Sequence, residues 1–430
     1  MDKYQQINRN KTIFLNVIYK YAFFEQNIIM KTVKGTSFFD KQSTKIKQYP
    51  YINQDMGCDI LIVGGGIEGA TLNFYLSKAR DCILVDANRL GTGSTSIATA
   101  LLEFQLDDFA SDLKTLSEEE IVEVYKMGKQ SLTEIENFLN TYGNHCHYAR
   151  KSTFLYSNRL RDVKKLKDEF VFRKQNGFDC QFFNQTTNPF GFEIKAGIYD
   201  ANGGAEFDPY MFEKQMIENA SNQNSIFENT KIVKIRQNGK KVFCYTNYDN
   251  VIVANKVIVA TGFSTELLDD YAKDLMGMQV SYSIVTEPIK DLYLYDKALL
   301  QDCLDNYHYL RVLPNNRIIF GGEDTKFGKK INEKTAIKKY NCLLTELAKL
   351  LGYKAEQIKV EFAFCGLFAS TDNNLGIVGE SKNKNIMYFL SCGANGIINT
   401  FCGVKIIEDI LCGRKNNMEK LFSPLRGLKS

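Results

Sequence analysis

The chain has no tryptophan and only three histidines among its 430 residues. It also lacks any CxxC pair, and its 11 cysteines are an odd number scattered through apolar stretches, as at Cys58, Cys82, Cys244 and Cys342. That pattern argues against a disulfide framework and fits a reduced, cytoplasmic protein with buried thiols. His145-Cys146-His147 is the one tight group of ligand-type residues. Its spacing matches no zinc pattern and no second pair accompanies it, so no metal site is expected. No hydrophobic run is long enough to cross a bilayer. Thr12–Tyr19 is apolar, but Lys20 and Glu25 break the apolar character beyond it and no small-residue cleavage site closes it. Neither a transmembrane segment nor a signal peptide is expected. A one-sided charge is missing too: 54 basic residues stand against 50 acidic ones. A net +4 with no basic run interleaved with aromatics gives no footprint for nucleic acid. The absence of tryptophan goes with abundant Asn, Lys, Ile, Tyr and Phe, a bias of AT-rich genes. Residues 1–29 share it strongly and read as translated upstream sequence, with Met30 as the start.

What the chain does have is a length suited to two interlocked domains and, at 44% hydrophobic, enough apolar mass for a sizeable core. After an irregular, polar stretch to residue 55, a buried strand is expected at Asp59–Val63. Gly64, Gly66 and Gly69 come next as GxGxxG, then a helix from about Ile67 to Lys78, then a second apolar strand, Cys82–Val85, ending on Asp86. Each glycine has a physical task. Gly64 permits the turn out of the strand, Gly66 admits a pyrophosphate against the backbone, and Gly69 lets helix and sheet pack closely. The phosphates then meet the free N–H groups and positive dipole of the helix N-terminus, at Ile67 and Glu68. Asp86 lies 22 positions after Gly64, where a carboxylate binds ribose hydroxyls and disfavours a 2′-phosphate. GxGxxG alone is weak, because glycines punctuate many turns. Its strand, helix and acidic context is what makes it a dinucleotide site.

Further along, Ser117 with Glu120 predicts a capped helix ending near Gly143. Helices are also expected around Arg161–Gly177, Met211–Asn222 and Thr335–Gly352. Val251–Ala260 reads as two short β runs, a hairpin arm and then a core strand. Val280–Tyr295 and Tyr307–Gly322 are strand-rich, and after Phe362 the pattern returns to strand, glycine turn and a helix ending near Leu411. The fold class expected is α/β: a Rossmann-like domain assembled from separated segments, with an inserted α+β domain on a mainly antiparallel sheet.

Three further segments carry a resemblance. Gly91-Thr-Gly-Ser-Thr-Ser-Ile-Ala-Thr-Ala-Leu-Leu102 resembles the flavin-contacting loop of the D-amino acid oxidase family, the group that includes glycine oxidase and sarcosine oxidase. Read without it, the stretch is equally a Ser/Thr-rich loop capping a helix. Val257-Ile-Val-Ala-Thr-Gly262 resembles the family's ATG strand end, and Leu390-Ser-Cys-Gly-Ala-Asn-Gly-Ile397 its final glycine-rich turn. Cys365-Gly-Leu-Phe-Ala-Ser-Thr-Asp372 and Leu375-Gly-Ile-Val-Gly379 match the run into that turn. The likeness spans roughly residues 35–426. There are departures: Asp86 stands for the commoner Glu, and Asn373-Asn374 for the usual Asp-Gly. Cys365 is one position away from the cysteine that binds flavin covalently in some relatives.

The resemblance implies FAD, held non-covalently by Gly64, Gly66, Ile67, Glu68, Gly69, Asp86, Ser94, Thr95, Thr99, Ala100, Leu101, Ala260, Gly262, Gly393, Asn395, Gly396 and Ile397. FAD-binding segments are then expected at 56–150, 201–275 and 362–430, substrate-domain segments at 151–200 and 276–361, and an N-terminal extension at 1–55. The implied reaction oxidises the C–N bond of an amine or amino acid by hydride transfer to flavin, the imine then hydrolysing. Oxygen or another electron acceptor takes up the electrons. Such chemistry needs positioning more than acid–base groups, so no catalytic side chain is singled out. On the substrate side, strand alternation puts Tyr307, Tyr309 and Arg311 on one face, the arginine suited to a carboxylate. The alternative is a solvated face with Arg311 paired to Asp305 or Glu323. A dehydrogenase passing electrons to a carrier or quinone, and a non-catalytic flavin-binding protein, are the other readings.

Overall fold

A computed structural model describes residues 33–35, 38–39, 47–328 and 331–428. The expectation about residues 1–29 falls outside them. Two sheets organise the described residues. The first has parallel neighbours in the order Ile386–Leu390, Val251–Val259, Met56–Val63, Cys82–Val85 and Ile226–Phe227, with Ile377–Glu380 antiparallel at one edge. Both faces are buried, which is why these strands are continuous apolar runs. Ile60, Ile62 and Leu84 pack toward the helices, while Leu61, Val63, Ile83 and Val85 enter the core on the other face. On the helical side, Ile67–Leu76 lies against Pro209–Glu218 and Gly396–Leu411.

Val251–Val259 is one continuous strand rather than two runs. Its first half pairs antiparallel with Lys241–Thr246 and its second half parallel with Ile386–Leu390, while Met56–Val63 lies along its other edge throughout. The hairpin arm and the core strand are thus the two halves of one element. The capping box at Ser117 forms in full: Glu120 N donates to Ser117 Oγ and Ser117 N to Glu120 Oε2. The helix it starts, Glu118–Tyr142, ends at Gly143.

The second sheet is mainly antiparallel, running Val33–Gly35, Val360–Ser370, Gly277–Thr286, Ile318–Lys326, His308–Val312, Leu299–Asp302, Ala149–Ser157, Ala196–Glu206 and Leu101–Glu103. Its outer face packs on the helix Glu333–Leu351, with Tyr282, Ile284, Leu310, Val312 and Phe320 meeting Tyr340, Leu343 and Leu347. The inner face therefore carries the alternate residues, among them Ser281, Ser283, Tyr309 and Arg311.

The segment boundaries differ from those expected. Ala196–Glu206 runs through the 200/201 division, and Val360–Ser370 keeps residues up to 370 in the second sheet. Nor is the stretch before residue 55 a mere extension. Val33–Gly35 pairs with Phe364–Gly366, and Phe38 and Phe39 are buried against Tyr210, Val285 and Phe364. Pattern reading misses this because the partners lie hundreds of residues away. No described helix is long and apolar enough to cross a membrane.

A Cβ on Gly69 would lie 1.8 Å from the carbonyl oxygen of Gly64, both being backbone of one tight strand–helix turn. Gly69→Ala is expected to cost about 1–3 kcal/mol as overpacking, seen as a lower urea midpoint with an unchanged m-value.

Candidate active site

The three glycines of the loop differ in what surrounds them. A Cβ on Gly64, whose φ is +114°, would strike Ala260 O at 2.1 Å, and one on Gly69 would strike Gly64 O. On Gly66 the nearest atom is Thr95 Oγ1, at 3.2 Å. Gly64 and Gly69 are therefore glycine because protein backbone presses on them, whereas a Cβ on Gly66 would meet one side-chain atom and no backbone. Ile67 N, at the helix N-terminus, donates to Thr95 Oγ1 at 2.9 Å. Asp86 closes the far side, its Oδ2 accepting from Gly65 N and its Oδ1 from Asn88 N, both at 2.7 Å. Burial pushes its carboxyl up to about 6, against the pull of those two N–H groups. A positive helix end and an acid after the second strand suit the pyrophosphate and adenosine of a dinucleotide, although the Ile67 N–H expected to meet the phosphates is taken by Thr95.

Glu68 brings three distant pieces of chain together. Its Oε1 accepts from Ser391 N at 2.8 Å, and the backbone N–H of Gly262 also donates to its carboxylate. Burial outweighs both bonds and raises the carboxyl to about 7. The final turn is fastened again from its other side. Ala394 N donates to Asp107 Oδ2 at 3.0 Å, and Asn395 Nδ2 donates to Gln105 O at 2.8 Å and Asp107 Oδ1 at 3.2 Å. Gly393 adopts a φ of +94°, Gly396 would meet Ser391 O through a Cβ, and Ile397 is buried in the helix they open. Asp107, pushed up to about 6 by burial, is a fastening of the final turn that the sequence does not announce. It lies in a loop with no motif, and only its contact with residue 394 reveals it.

The loop after the second strand lies between the two sheets. Ser94 Oγ donates to Leu367 O of the second sheet, while Leu101 begins a strand paired with Glu206. Between them Ala100 takes a φ of +52°. Thr99 and Ala100 turn their carbonyls to Arg311, whose Nη1 donates to them at 2.6 and 3.3 Å.

Tyr307, Tyr309 and Arg311 do share a face, but not a role. The Tyr307 hydroxyl donates to Asp324 Oδ2 at 2.7 Å, and the Tyr309 hydroxyl lies 3.1 Å from Ser283 Oγ. Arg311 departs from the expected carboxylate-binding cation. Its Nε donates to Glu206 Oε2 at 2.9 Å, and its side chain is only 3% exposed. Neither Asp305 nor Glu323 is its partner: Asp305 pairs with Arg159 and Arg161, and Glu323 with Lys339. The reason is the sheet, which brings Glu206 beside residue 311 from over a hundred residues away. Asp324, a second acid without a sequence signal, opposes Asp107 closely enough to raise its pKa. Its Oδ1 is buried and makes no close hydrogen bond. His308 projects to the outer face, its Nδ1 2.7 Å from Asp302 Oδ2. Cys146 is buried between exposed His145 and His147, and among the described residues no cluster of His, Cys, Asp or Glu is arranged to hold a metal.

This geometry can be checked at two residues. Gly66→Ala should leave the urea midpoint near that of wild type while weakening dinucleotide retention at least about tenfold, in contrast to Gly69→Ala. Glu68 gains a proton on folding between its ordinary 4.5 and about 7. Its stabilising contribution is thus complete below 4.5 and is lost as pH rises through about 7. In cofactor-free protein, Glu68→Gln should remove that slope, so that denaturation midpoints favour the variant more at pH 8 than at pH 5.

The comparisons with known proteins agree with this arrangement. The family model described as DAO, FAD dependent oxidoreductase, matches residues 59–408. The chain is 20% identical over 397 residues to the gamma-glutamylputrescine oxidoreductase of Escherichia coli, covering 89% of this chain and 90% of that one. It is 22% identical over 395 residues to the putative Rieske 2Fe-2S iron-sulfur protein YhfW of Bacillus subtilis, covering 90% of this chain and 75% of that one. A Rieske centre takes two cysteines and two histidines, and no such group occurs among the described residues. In structure the chain matches glycine oxidase from Geobacillus kaustophilus with a TM-score of 0.73 at 17% identity, covering 87% of this chain and all of the other. With the glycine loop, the acid after the second strand and the final turn in place, the chain belongs to the DAO family of FAD-dependent oxidoreductases.

Proposed function

We propose that the protein oxidises the C–N bond of an amine, or of an amino acid, on FAD held without a covalent link. When bound, FAD supplies the two-electron acceptor for that bond. The chain's own residues bind the cofactor, orient the substrate and exclude water. Glu68 draws the glycine loop, the residue 262 turn and the residue 391 turn to one place, which makes a single dinucleotide cleft from three segments. Cys365 supports non-covalent binding, because its thiol interacts with Tyr340, on the outer helix.

The observation that carries the substrate side is the polarity of the inner face. Its arginine is engaged with Glu206 and two carbonyls. Left to meet a substrate are the Tyr307–Asp324 pair, Tyr309, Ser281 and Ser283. Asp324 holds Tyr307 through Oδ2, and its buried Oδ1 makes no close hydrogen bond, Ser281 being the one other donor that the carboxyl meets. A buried acceptor of that kind calls for a donor. An ammonium group supplies one, and a substrate carboxylate would be repelled. The reading therefore favours an amine over an α-amino acid recognised through its carboxylate, and the gamma-glutamylputrescine oxidoreductase likeness points the same way.

Anaerobic mixing of the purified protein with a panel of amines and amino acids tests this. Flavin absorbance should bleach with one or more cationic amines. Bleaching with none of the panel, or a colourless protein that FAD does not reconstitute, would count against the reading. Asp324→Asn should raise KM for the active amine by roughly 10- to 100-fold, the worth of a hydrogen bond to a charged group, with FAD still bound.

A further inference from the structure

We propose that Arg311 is a positioning residue for the flavin, clamping the loop at residues 99–100 from the second sheet. The inference rests on the proposed function and on the resemblance of residues 91–102 to the family's flavin-contacting loop.

Three features of the loop combine. Leu101 pairs with Glu206, so residues 101–103 are strand and are held by the sheet. Before it, Thr95 is fixed to the helix N-terminus through Ile67 N. The bend between these anchors falls on Ala100, which is not glycine and yet has a φ of +52°. Left-handed backbone at a residue with a Cβ is unfavourable and persists only where its surroundings hold it. Arg311 provides the hold. One planar guanidinium takes a carboxylate through Nε and both carbonyls of the bend through Nη1. Glu206 is itself steadied by Lys151, 3.5 Å from its other oxygen. The guanidinium lies 5.6 Å from the Phe39 ring centroid, so its remaining edge meets aromatic surface.

The consequence for the cofactor comes from peptide geometry. In a planar trans peptide the C=O and N–H point in opposite directions. Turning the carbonyls of Thr99 and Ala100 toward Arg311 turns the N–H groups of Ala100 and Leu101 away from it. Those donors are then preset on the other side of the loop, before any ligand arrives. Lysine carries the same charge but has a single nitrogen and no fork, and cannot span the carboxylate and the two carbonyls together.

The test uses the FAD-loaded enzyme. Arg311→Lys should lose FAD affinity about tenfold or more, which is 1.4 kcal/mol or above, and shift both the visible flavin spectrum and the reduction potential. Adding Ala100→Gly, which accepts left-handed backbone without penalty, should recover most of the loss. An R311K enzyme with wild-type FAD affinity, spectrum and potential would overturn the proposal. So would an R311K enzyme whose only defect is a raised KM for carboxylate-bearing substrates, the mark of a substrate-binding cation. Should R311K fail to fold, Glu206→Gln releases the same fork. It should weaken FAD binding at least about threefold, and unchanged affinity there would also overturn the proposal. A wild-type chain that holds no FAD would overturn the functional reading and this inference with it.

Discussion

The carboxylate of Glu68 lies in the first turn of the helix after the glycine loop, where it accepts the N–H groups of Ser391 and Gly262. Its bond to Ser391 spans 323 residues of sequence. Without it the glycine loop would still form, because strand, turn and helix are local. The cleft's other walls come from chain that has passed through a second sheet in between, and the pairing of Val259 with Val63 and with Tyr388 sets their ends side by side for Glu68 to fasten. That a carboxylate does this has a cost visible in its pKa, which burial raises to about 7 despite two donors.

The two sheets share the segment after the second strand. Ser94 reaches Leu367, Thr95 caps the glycine-loop helix, and Leu101–Glu103 is already a strand of the second sheet. Arg311 completes this coupling from the opposite side. The inner face of the second sheet and the loop beneath it are therefore one mechanical unit, so a shift of the strand His308–Val312 moves the bend at Ala100. This interlocking also explains why divisions at residues 200 and 361 cut through elements rather than between them. The chain crosses from one sheet to the other within a strand's length.

The parts of the site that are legible in the sequence are those whose chemistry is local. Gly64 and Gly69 are required by backbone within a few residues of themselves or at the neighbouring strand end, and Gly66 and Asp86 come from the spacing of one βαβ unit. Ser117 and Glu120 cap their helix by contacts three residues apart. The single strand Val251–Val259 reads as two because its pairing partners change halfway, a fact of the sheet and not of the residues.

The sequence by itself determined the class of the first sheet, the glycine loop and its acid, and the resemblance that pointed to FAD. Periodicity and turn chemistry are short-range, so they survive in a one-dimensional reading. Tertiary structure alone decided which charges are spent. Arg311 reads as available in the sequence because its partners, Glu206 and the carbonyls of Thr99 and Ala100, are more than a hundred residues distant. Asp107 and Asp324 carry no signal because an aspartate, in a loop or near a strand end, is ordinarily solvated. It becomes part of a site only when folding removes the water around it and sets another chemical group in its place.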